Sequence, residues 1–172
     1  MNTVIKINAL DPKSIDDAIK QLEDYQKSID EKMEQLVRLL TNLGLEKARD
    51  LVPIDTGVAQ ASIIGYVDEA EGVGIIRAGG YCKYIEFGTG VKGQNSQHPS
   101  SEYLAIMQWA YNSGATIFTT KDGREGWFYP ADDGTWKFTE GMPSRPFMYE
   151  TAQYLRKEAN RLAKEVFAGG RR

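Results

Sequence analysis

The hydrophobic pattern changes period several times along the 172-residue chain. Thr3 to Ala9 alternates, with Ile5, Ile7 and Ala9 on one face and Lys6 and Asn8 on the other, which predicts a short strand. Asp11-Pro12 then turns the chain. Behind Ser14 and Asp17, a capping-box-like start, Ile15, Ala18, Ile19 and Leu22 recur at helical spacing. The stripe runs on through Ile29, Met33, Leu36, Val37, Leu40 and Leu43 to Ala48, Leu51 and Val52. Pro53 ends it, because the residue before a proline is pushed out of the helical region. Residues 10–52 therefore read as one long helix or two in series, with a second start at Ser28 and Glu31 and a break near Tyr25–Ser28. The stripe is too irregular for a sustained heptad, so the helix is expected to cross a sheet or reach a neighbouring subunit.

After Pro53 the texture becomes that of strands. Ser62–Asp68 and Val73–Ala78 flank Glu69-Ala70-Glu71-Gly72, a hairpin pattern, and Tyr81–Phe87 reads as a further strand or as a strand continued past a bulge. Residues 88–101, polar and rich in Gly and Ser, read as a mobile loop. Glu102–Ser113 has Leu104, Met107, Ala110 and Tyr111 at helical spacing. Asp122-Gly123 and Asp133-Gly134 then sit between β-rich runs, a strong hairpin signal because glycine supplies the positive φ of a tight turn. Phe147–Phe167 forms a closing helix with Pro146 at its first turn, and residues 168–172 form a loose basic tail. The expected fold class is α+β, an antiparallel sheet with hairpins packed against a long N-terminal helix and a C-terminal helix, in a single domain over residues 1–172.

Composition narrows the function classes. Hydrophobic residues make up 41% and charged residues 26%, enough for a packed core. A net charge of −3 and a pI near 5.3 give no basic footprint for gripping nucleic acid. Cys82 is the sole cysteine, so no intrachain disulfide forms. The charged N-terminus does not read as a secretory signal, and no run approaches the roughly 20 apolar residues of a membrane span. A protein made in a reducing cytoplasm is expected.

Candidate chemistry is sparse. His98, the only histidine, lies in the Gln-His-Pro-Ser loop and reads as solvated, and Cys82 among aromatics reads as a small buried hydrophobe. HExxH, CxxC, GxxxxGK[ST] and GxSxG are all absent, and Gly88–Gly93 lacks the Lys-Ser/Thr of a phosphate loop. The expectation is therefore no catalytic residue, no cofactor and no metal. Two alternatives from other classes stand beside it. One is a carboxylate- or metal-dependent hydrolase. The other is a glycan-binding module using Trp127 and Trp136, whose cluster with Phe128, Tyr129 and Phe138 is otherwise accounted for by cross-strand packing.

Three segments together resemble the family of siphophage head–tail joining, neck or tail-completion proteins. They are Pro53-Ile54-Asp55-Thr56-Gly57 running to Ser62-Ile63, then Tyr81-Cys82-Lys83-Tyr84-Ile85-Glu86-Phe87-Gly88-Thr89, then Arg145-Pro146-Phe147-Met148 at the start of the last helix. Ala59 and Gln60 stand where the family usually has leucine and arginine, and Glu150-Thr151 where Pro-Ala is frequent. By their chemistry these residues are architectural. Asp55 can accept backbone N–H groups while Gly57 permits a reversal, Glu86 is either exposed on a strand or paired with Arg77 or Arg145, and Phe147 plugs the core.

The resemblance implies a phage structural protein rather than an enzyme. It implies self-assembly into a ring, a hexamer when assembled, between connector or stopper proteins and tail-tube or tail-terminator proteins. DNA would pass through the lumen without specific binding, and no membrane is involved. Assembly would occur in the host cytoplasm and the product would reside in the virion, at the head–tail interface.

Overall fold

The computed structural model describes residues 4–8, 10–96, 98–100, 117–131 and 133–168. Its elements are α1 (Pro12–Leu51), α2 (Val58–Ala61), β1 (Ile64–Asp68), β2 (Val73–Arg77), α3 (Cys82–Phe87), α4 (Gly90–Gln94), β3 (Phe118–Thr119), β4 (Glu125–Pro130), β5 (Trp136–Thr139) and α5 (Phe147–Ala168). The fold is α+β: a long N-terminal helix, two small antiparallel sheets and a C-terminal helix.

No glycine or proline lies between Pro12 and Gly44, so nothing interrupts the ladder near Tyr25–Ser28. The helix α1 runs unbroken for 40 residues, about 60 Å. Its cap is Asp11, whose Oδ1 accepts from Lys13 N at 3.1 Å, with Pro12 at the first helical position. Ser14 does not cap the helix, and its hydroxyl instead accepts the Asn8 N–H at 2.8 Å. The expected strand over Thr3–Ala9 is not found in residues 4–8, which pair with no neighbour among the described residues. At the other end Val52 turns to an extended conformation before Pro53, as proline requires.

α5 returns antiparallel along α1, with Lys47 over the Tyr154 ring at 5.3 Å and Lys32 over Phe167 at 5.9 Å. Gly44 is what lets them approach. A Cβ there would collide with Ile76 Cδ1 of β2 and stand 2.8 Å from Leu155 Cδ1 of α5. The β1–β2 hairpin packs on the same helix through Gly65, over Leu45, and Gly74, over Thr41 and Val37. Its turn is closed by Asp68, whose Oδ1 accepts from Ala70 N and Glu71 N, and by Gly72 at φ 65°. The core is Ala48, Val52, Ile63, Cys82, Ile85 and Phe147. It sits where the end of α1, α3 and the start of α5 meet.

The second sheet has the order β3-β4-β5, with Gly123 and Gly134 at positive φ in its turns. Phe118, Phe128 and Phe138 form an edge-to-face ladder, with centroids 6.2 and 5.4 Å apart. Trp127 pairs with Thr139 and Trp136 with Pro130, which places the two tryptophans on opposite faces. They form no common platform.

One expectation needs correction. Tyr81–Phe87 is not a strand but carries the short helix α3; Cys82, Ile85 and Glu86, the residues it buries, share one helical face. Its aromatic composition resembled a strand, and packing on the core overrode that preference. Within the segment read as a loop, Gly90–Gln94 forms α4, and Thr89, Lys92 and Ser96 make hydrogen bonds to the 140–144 segment. The helix expected over Glu102–Ser113 lies outside the described residues, as does most of the tail.

Candidate functional site

The first motif segment staples the end of α1. Arg49 donates from Nε and Nη2 to Ile63 O at 3.2 and 2.7 Å, and Gln60 Nε2 donates to Arg49 O at 3.0 Å. That last bond satisfies one of the carbonyls a helix C-terminus leaves open. Gly57, at φ 80°, makes the reversal into α2. Pro53 is half-buried, whereas Asp55 and Thr56 are exposed. Asp55 accepts no hydrogen bond from the described residues, contrary to its expected capping role, so the reversal rests on the glycine. Ser62 donates to Ala59 O at 2.7 Å and accepts the Gly79 N–H at 3.2 Å, joining α2 to the strand exit. Its Oγ lies 3.4 Å from Cys82 Sγ, which is buried as a small core side chain.

The second and third segments meet at Glu86. Expected on an exposed strand face or paired with Arg77 or Arg145, it is instead buried, with only 6% of its surface exposed. Its Oε2 accepts Met148 N at 2.8 Å and its Oε1 accepts Tyr149 N at 2.9 Å. These are orphan donors of the first turn of α5, so a carboxylate from another helix caps α5 where its dipole favours an anion. His98, expected in solvent, is also buried, and its Nε2 lies 3.1 Å from Glu86 Oε1. The imidazole packs against Tyr149 at 5.3 Å and Phe87 at 5.1 Å.

Backbone bonds complete the knot. Arg145 N donates to Ile85 O at 2.8 Å, and Thr89 N donates to Met142 O at 2.9 Å. Met142 N returns to Thr89 O and Oγ1, and the Ser144 hydroxyl donates to Glu86 O at 2.7 Å. Gly88, at φ 77°, is required here, since a Cβ would stand 2.7 Å from Ser144 N. Pro146 O accepts Glu150 N as α5 begins, and Phe147 is 2% exposed. Tyr84 is half-buried, edge-on to Tyr81 at 6.0 Å.

A groove of about 470 Å³ brings all three segments to one surface, lined by Pro53, Asp55, Gly57, Tyr81, Ile85 and Arg145 among others. A cleft of about 710 Å³ shares Asp55 and Tyr81 with it and adds Tyr84, Trp127 and Tyr129. His98 was weighed and read as solvated, and Ser96 and Ser144 were not among the candidate residues. Their sequence signal is only polar character in a Gly/Ser-rich run, which does not distinguish a solvated hydroxyl from one that bridges two segments. Among the described residues no group of three or more His, Cys, Asp or Glu side chains is placed to hold a metal ion, and no helix is long and apolar enough to cross a membrane. Comparison with family models, curated proteins and solved structures gives no match.

Proposed function

We propose that the chain is a structural assembly protein of a long-tailed bacteriophage, forming a ring at the head–tail junction as a joining or tail-completion component. One observation carries the reading. Of the three segments that resemble that family, far apart in sequence, the second and third meet in a hydrogen-bonded knot centred on Glu86, and the first lines one groove with them. The knot consumes its own chemistry. Glu86 accepts two backbone N–H groups and His98 Nε2, and His98 Nδ1 accepts the Ser100 N–H at 3.1 Å, so neither ring nitrogen faces a substrate. This supports an architectural role over the hydrolase alternative. The opposed tryptophans weigh against a two-tryptophan glycan platform.

In this reading copies of the chain meet head-to-tail around an axis and contact connector or stopper proteins on one side and tail-tube or tail-terminator proteins on the other. DNA passes through the lumen without being gripped, since the net charge of −3 supplies no basic wall. The protein assembles in the host cytoplasm and ends in the virion. The test is electron microscopy of particles made without this protein. Full heads beside separate, finished tails are expected; normal infectious virions would overturn the assignment. Strong, salt-dependent binding of duplex DNA by the purified protein would refute the passive lumen.

A further inference from the structure

We infer that the cleft holding Asp55 is one half of a head-to-tail contact between copies of this chain, and that Arg156 of the next copy enters it. The inference rests on the ring reading and names the surfaces that close it.

Its geometry comes from α3. α3 supplies lining residues to two separate surfaces, Tyr81, Tyr84 and Ile85 to one and Cys82, Lys83 and Glu86 to the other. The first set lines the groove and the cleft that share Asp55. The second lines a separate cavity of about 800 Å³, together with Arg156 of α5. Two different surfaces of one molecule are thus on offer, which a heterologous, ring-closing contact requires and a two-fold contact does not.

Their chemistry is complementary. The cleft presents Tyr81, Tyr84, Trp127 and Tyr129, and within it Asp133 is already tied to Lys137 at 3.2 Å. Asp55 is the carboxylate left there without a hydrogen bond or ion pair to the described residues, and Arg145 lies beyond it in the groove. Aromatic faces beside an unpaired carboxylate fit a guanidinium, which stacks on rings while its N–H groups reach an acid. Arg156 is exposed and likewise has no side-chain partner among the described residues. Apolar residues border the cleft side and are open to solvent: Ile54 is 69%, Val58 66% and Tyr81 57% exposed. Buried aromatic and arginine anchors within an apolar surround are what stable interfaces use.

The test combines charge reversal with directed cross-linking on the full chain. In sedimentation or native mass measurements, Asp55→Arg and Arg156→Asp should each weaken self-association about tenfold or more, and the double variant should recover most of it. Both positions are exposed, so circular dichroism should be unchanged. Separately, a chain carrying Asp55→Cys mixed with one carrying Arg156→Cys should give the mixed 55–156 adduct in preference to 55–55 or 156–156. Self-association that neither reversal alters, or adducts formed without preference, overturns this interface while leaving the ring reading standing. A chain that stays monomeric at millimolar concentration and gives no adduct removes both.

Discussion

His98 Nε2 lies 3.1 Å from Glu86 Oε1 while His98 Nδ1 accepts the backbone N–H of Ser100. A backbone N–H only donates, so Nδ1 is the bare nitrogen and Nε2 carries the hydrogen given to the carboxylate. Glu86 therefore receives donors from α5 and from the 98–100 loop at once, and holds the two together. Glu86→Gln places an amide NH2 against at least one of these donors and removes the anion from the helix start. A loss of about 2–4 kcal/mol is expected in denaturant unfolding. Nitrogen-15 spectra should show the imidazole protonated at Nε2. A cost below about 0.5 kcal/mol, the range of ordinary surface changes, would mean the carboxylate does not hold this junction.

Gly44 sets a second test, in which two effects oppose. Alanine is the better helix former by about 1 kcal/mol, so at an open site Gly44→Ala would stabilise. Here the added Cβ meets the ends of Ile76 and Leu155, and the core must shift to admit it. A net loss of about 1–2 kcal/mol is expected, and more for Gly44→Val, because overpacking a filled site outweighs the propensity gain. An increase in melting temperature for Gly44→Ala would show that α1, β2 and α5 are packed more loosely than these contacts require.

Local rules carried much of this fold. Pro53 ended α1, the Asp-Gly pairs at 122–123 and 133–134 marked both turns of the second sheet, and Pro146 opened α5. What escaped was decided at long range. Glu86 finds its donors 62 and 63 residues away in Met148 and Tyr149, and no periodicity encodes that pairing. Tyr81–Phe87 has the composition of a strand, and it forms a helix because Cys82 and Ile85 must both reach the core. His98 is buried for the same reason. A polar run looks solvated until its partners are known, and those partners lie on α3 and α5.

The first half of α1 carries apolar residues in solvent: Ile19 is 50% and Leu22 54% exposed. The antiparallel return of α5 reaches only to about Lys32, which lies over Phe167 near the end of that helix. Leu22→Glu should therefore change unfolding free energy by less than about 0.5 kcal/mol. The same change at buried Ile63, which is 0% exposed, should cost more than about 3 kcal/mol by placing a charge in the core. If Leu22→Glu also costs several kcal/mol with the chain demonstrably monomeric, this stretch of α1 is covered within the molecule itself.

Acid should loosen the turns of the second sheet. In the β4–β5 turn the Asp133 carboxyl is held below its ordinary value, chiefly by the Thr135 hydroxyl, then by the Thr135 N–H and by Lys137. In the β3–β4 turn Asp122 is lowered in the same way, by Thr120 and then Arg124. A carboxylate whose folded pKa is depressed contributes stability that is fully present above the unfolded pKa and is lost as pH falls through the folded one. Loosening of both hairpins should thus begin only below the ordinary aspartate value of about 3.9 and progress as the pH drops further. Near-ultraviolet circular dichroism from Trp127 and Trp136 reports on β4 and β5 directly. Asp133→Asn removes the titrating group, so the variant should start less stable at neutral pH and lose less of that signal on acidification. If wild type and variant show the same acid dependence, the Asp133–Thr135 turn does not govern how the hairpin responds to pH.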